Sequence, residues 1–157
     1  MIQDSALAEW LLGQGFPRDD IGARAANEMT PLMCAALKGD GLMARKILAA
    51  GADVALRNAD GANALWLACV GRHLDMIDLL IEAGIDIDNR NDGGATALMY
   101  ASSSGRADVV AHLLARGADI APETLDGFSA LDMASNIEIL NLLRAAHRNR
   151  RAQKAAL

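Results

Sequence analysis

His73, His112 and His147, the thiols Cys34 and Cys69, and the aspartates Asp53, Asp86 and Asp119 are the side chains from which this chain could build a metal centre or an acid–base pair. Either use requires the groups to converge. The histidines share no position in the pattern described below, and no spacing of Cys and His matches a zinc site. A nucleophile motif is absent, as is a glycine-rich phosphate loop between a strand and a helix. The three aspartates recur every 33 residues, a regularity that invites a calcium reading. Stacked units would hold them about 10 Å apart, at ordinary helix spacing. Calcium's oxygen ligands lie about 2.5 Å from the ion, so a role in the turn after each helix fits them better. The expectation is no enzyme, no metal and no cofactor.

The elements that would carry these residues must come from an alanine-, leucine- and glycine-rich chain. Hydrophobic residues make up 52% of it and aromatics only 3%, which favours closely approaching helices over an aromatic-centred core. The net charge of −5 hides an asymmetry: 10 basic and 20 acidic residues lie up to Leu143, then five basic and none acidic from Arg144 onward. An acidic body argues against nucleic acid, whose phosphates need a basic face. The basic end reads as a solvated helical terminus whose cations suit the helix dipole, or as a contact for an anionic partner. No hydrophobic run approaches the roughly 20 residues of a membrane span, and Met1-Ile2-Gln3-Asp4 lacks the basic start of a secretory signal. A cytoplasmic, non-membrane protein with two buried thiols is expected.

Sliding the sequence against itself gives a period of 33 residues. Gly51-Ala52-Asp53, Gly84-Ile85-Asp86 and Gly117-Ala118-Asp119 recur at that spacing, and so do Thr30-Pro31-Leu32, Asn63-Ala64-Leu65, Thr96-Ala97-Leu98 and Ser129-Ala130-Leu131. Thr30, Asn63, Thr96 and Ser129 are helix-capping residue types, and Pro31 suits the first helical position. A first helix is expected after each. Gly39 and Gly105 would close it, with Arg72 at the equivalent place between them. The spacing of Met76, Ile77, Leu80 and Ile81, repeated in Val109, Val110, Leu113 and Leu114, predicts a second helix. Asn, Asp and Gly then form a projecting finger in Arg57–Gly61 and Arg90–Gly94.

These units resemble ankyrin repeats: Thr30-Pro31-Leu32-Met33-Cys34-Ala35-Ala36 matches the family's Thr-Pro-Leu-His-x-Ala-Ala, and Leu114-Ala115-Arg116-Gly117-Ala118-Asp119 its Leu-Leu-x-x-Gly-Ala-Asp ending. The resemblance implies an all-α ankyrin-repeat solenoid of stacked helix-turn-helix units with finger loops. Full repeats are placed at residues 25–57, 58–90 and 91–123. A degenerate capping repeat fills 1–24, a shortened one 124–146, and a basic tail 147–157. Atypical ends fit a complete small array, because a lone repeat cannot bury its apolar face.

The resemblance further implies a non-catalytic module that binds a protein partner through its fingers and first helices. On the fingers those positions hold Arg57, Asp60, Arg90, Asp92, Leu125 and Phe128. On the first helices they hold Leu37, Lys38, Val70, Ser103 and Ser104. Where the family often has His in the first helix, this chain has Met33, Trp66, Met99 and Asp132, either an apolar stripe facing the partner or side chains packed between repeats. Arg57 and Arg90 form either a cationic ladder for a carboxylate-bearing partner or a solvated finger surface. Leu125 and Phe128 offer a second apolar contact, or else seal the last repeat. A monomeric adaptor is the leading expectation. A small-ligand-binding or enzyme-associated regulatory subunit, and a self-associating structural protein, are the alternatives.

Overall fold

A side-chain oxygen caps six of the eight α-helices that residues 2–157 form in the computed structural model. The helices are α1 (Ser5–Gly13), α2 (Pro31–Lys38), α3 (Gly41–Ala49), α4 (Ala64–Gly71), α5 (Leu74–Glu82), α6 (Ala97–Ser103), α7 (Ala107–Ala115) and α8 (Ile137–Ala155). No strand forms among the described residues; the one β-bridge joins Glu123 and Ser129. The first helices start where the period places them. The amides of Met33, Trp66 and Met99 donate to Thr30 Oγ1, Asn63 Oδ1 and Thr96 Oγ1 at 3.2, 3.2 and 3.3 Å.

The chain divides into two compact units, Met1–Asp86 and Ile87–Leu157. In the first, α2 packs on α3 and α4, α5 on α4 and α3, and α1 on α3. Its core holds Leu7, Leu11, Leu32, Ile47, Leu65, Ile77 and Leu80, all nearly inaccessible. Burying each such large side chain contributes about 1.5–3 kcal/mol. Ala35 and Ala68, one period apart, are fully buried and let α2 and α4 approach closely. In the second unit α7 packs on α6 and α8, around Leu98, Val109, Val110, Leu113, Ile139 and Leu143.

Helix ends follow the same local chemistry. Gly39 closes α2 in the left-handed conformation at φ 71°, and Arg72 takes that conformation after α4 at φ 58°, a backbone costing a side chain about 1 kcal/mol. The amides of Phe16, Ala52, Ile85 and Ala118 donate back to the carbonyls of Leu11, Ile47, Leu80 and Leu113, so α1 finishes as α3, α5 and α7 do.

The fourth unit departs from expectation. Ser129 carries the capping signature, yet no helix follows it before α8. The Asp132 amide does donate to Ser129 Oγ (3.3 Å), and the Asp132 carboxylate accepts both the Ser129 amide (2.8 Å) and the Ser129 hydroxyl (2.6 Å), but the result is a single turn. The Ser129 hydroxyl and amide hold the Asp132 carboxyl below its ordinary range. The basic stretch expected at 147–157 continues the last helix: α8 runs 19 residues, through Ala155.

Candidate functional site

The finger turns owe their shape to one side chain each. In the first unit Asn58 Oδ1 accepts the amides of Asp60 and Ala62 at 3.1 and 2.9 Å, and the Asn58 amide donates to Ala62 O at 2.8 Å. Asn91 repeats this in the second unit with Gly93 and Ala95. Thr124 Oγ1 accepts the Phe128 amide in the finger after it. Such a turn needs a residue that tolerates positive φ, supplied by Gly61, Gly94 and Gly127.

Arginines tie the fingers down. Arg24 Nη1 donates to Glu28 O and to Arg57 O, each at 2.7 Å. Arg57 Nε donates to Gly61 O at 2.8 Å. Arg90 Nε donates to Gly94 O at 3.0 Å, and its Nη2 to Glu123 O, one period along. The ladder posited for a carboxylate partner is therefore engaged with main-chain carbonyls. Adjacent fingers also pair directly: Ala59 N to Asn27 O and Leu125 N to Gly93 O, both 3.0 Å, with Asn27 Nδ2 on Asp60 Oδ2 at 2.9 Å. Arg24 and Asn27 escaped the sequence reading, although each stands 33 residues before a named finger residue, Arg57 and Asp60.

The first-helix positions separate sharply. Met33 and Met99 are 1% exposed, so they are core side chains and leave the candidate surface. Trp66 and Val70 are half-buried, one turn apart on α4. Leu37, at Val70's equivalent position on the neighbouring α2, is 37% exposed. The three form an apolar patch in the first unit, bordered by Lys38, which hydrogen-bonds Gln14. In the second unit Asp92, Ser103 and Ser104 are exposed, with the Ser103 hydroxyl on Tyr100 O at 3.0 Å. Leu125 and Phe128 are 77% and 53% exposed about one finger turn.

His73 is held by packing. Its Nε2 lies 3.0 Å from Leu37 O, and its ring fills a slot between two glycines. A Cβ on Gly39 would come within 2.5 Å of the ring, and one on Gly71 within 2.4 Å. No cluster of three metal-ligating side chains occurs among the described residues. Both cysteines are free thiols; burial pushes the Cys34 thiol up, against the opposing charge of Lys38. No helix among the described residues is long and apolar enough to cross a membrane.

A family model described as ankyrin repeats (3 copies) matches residues 2–91 and again 38–124. Among curated proteins, none matches the chain.

Proposed function

Because the chain belongs to the ankyrin-repeat family, whose repeats are generally protein–protein interaction modules and typically non-catalytic, we propose that it is an adaptor that grips a protein partner on its first helices and fingers. The observation that carries this reading is the patch of Leu37, Trp66 and Val70. On α4 Leu65 and Leu67 are buried, whereas a tryptophan, a residue type enriched at binding hot spots, is left half-open beside two aliphatic neighbours. The capped helices hold it in place, so little ordering entropy is lost on binding. Leu125 and Phe128 give the second unit a contact of its own. Two free thiols suit a reducing, cytoplasmic setting, and a monomer is the working state.

The test is affinity capture from the source cell with the wild-type chain and Trp66→Ala, quantified by mass spectrometry. A genuine partner is retained by the first and lost by the second, a weakening of about 2 kcal/mol or more with helicity and melting preserved. Equal retention by both takes Trp66 out of the site.

A further inference from the structure

Helix α8 carries Arg144, His147, Arg148, Arg151 and Lys154 at spacings that bring them to one side, and no acidic residue follows Arg144. The side chains of these five make no hydrogen bond or ion pair with another described residue. The exception nearby is Arg150, paired with Asp119 at 2.7 Å. Along this side of α8 lies a cleft of about 380 Å³. Ile120, Ala121, Leu131 and Leu143 make its floor, and His147, Arg150, Arg151 and Lys154 its rim. Glu123 is the only carboxylate in the lining. A second cleft, between α7 and α8, is larger at about 620 Å³ but is lined mainly by alanines and uncharged side chains, with Arg150 and Asp119 compensating one another. Only the first joins an apolar floor to uncompensated positive charge.

We propose that this cleft docks an acidic amphipathic segment of a second protein, its apolar side chains on the half-buried Ile120 and Leu131 and its carboxylates against Arg151 and Lys154. Charge complementarity selects the partner: four cations on α8, Arg144, Arg148, Arg151 and Lys154, are exposed, while the body up to Leu143 carries twice as many acidic as basic residues. A polyanionic nucleic acid would suffer that body's repulsion along its whole length, and it has no use for an apolar floor. A lipid surface needs apolar side chains that project, whereas Leu143 is 1% exposed and Leu131 is half-buried. The Arg150–Asp119 pair fixes one wall before anything binds, which lowers the ordering cost. This surface is independent of the Trp66 patch.

The probe is a fluorescent helical peptide of Glu and Leu at amphipathic spacing, titrated against the full chain at physiological salt. The wild type should bind it, and Arg151→Glu with Lys154→Glu should weaken binding about tenfold or more with unchanged circular dichroism. Arg151→Gln with Lys154→Gln, which keeps the helix and only removes charge, should fall between them. A Glu/Ser peptide lacking the leucines should also bind about tenfold more weakly. Failure to bind the Glu/Leu peptide, or binding indifferent to both double variants, overturns the proposal. So does tighter, variant-sensitive binding of duplex DNA or phosphatidylserine vesicles, or a dimer in sedimentation that the charge reversal dissolves. Retention of peptide binding by Trp66→Ala keeps this site distinct from the one above.

Discussion

The finger arginines and the cations of α8 are both basic, both on the surface, and opposite in use. Arg24, Arg57 and Arg90 turn their guanidiniums onto main-chain carbonyls within and between fingers. Arg148 and Arg151 find no such acceptors, because the helix interior beside them satisfies its own carbonyls. The difference teaches that a cation's availability depends on the acceptors within its reach. A finger leaves carbonyls unpaired and so captures the arginine beside it. A helix leaves the charge to solvent and to whatever approaches.

The comparison breaks most readily at Gly94. A Cβ there would sit 3.0 Å from the Leu125 amide nitrogen and 3.1 Å from Arg90 Nη2, at φ 78°. Gly94→Ala should therefore destabilise the chain by about 3 kcal/mol, read from the urea midpoint, through strain and the displaced arginine. A loss below about 1 kcal/mol would mean the finger adapts and the arginine is not a staple. Arg90→Ala should cost about 1.5 kcal/mol through its lost charge-assisted bonds, and Arg90→Lys should recover little because one ammonium nitrogen does not reproduce the separate Nε and Nη2 donors of the planar guanidinium. The counterpart on α8, Arg151→Ala, should change stability by less than about 0.5 kcal/mol. A larger loss there would erase the contrast.

Much of the fold was legible in the sequence because capping and glycine chemistry are local. Thr30, Asn63 and Thr96 announce helix starts by residue type, and each does accept the amide expected. Ser129 announced one falsely: its Oγ accepts the Asp132 amide at 3.3 Å, as a cap does, yet the chain makes only a turn there. The site was less legible. The period aligned Met33, Trp66 and Met99 but carries no information on which way a row faces, and the two methionines proved to be core. The arginine staples were hidden for a different reason: their acceptors are backbone carbonyls, which every residue has and no residue type signals. Only the 33-residue recurrence of Arg57 and Arg90 pointed to a shared role, and Arg24, one period earlier, joins them in the structure.

The imidazole of His73, wedged between Gly39 and Gly71, makes the repeats non-interchangeable. One period later the same three places hold Arg106, Arg72 and Ser104. A tandem duplication of residues 58–90 would set the copied ring against Arg72 where Gly39 had left room. Recombination among these units is therefore constrained in order: the histidine-bearing copy can follow only a glycine-ended predecessor, and the heritable module is the staggered junction between two repeats.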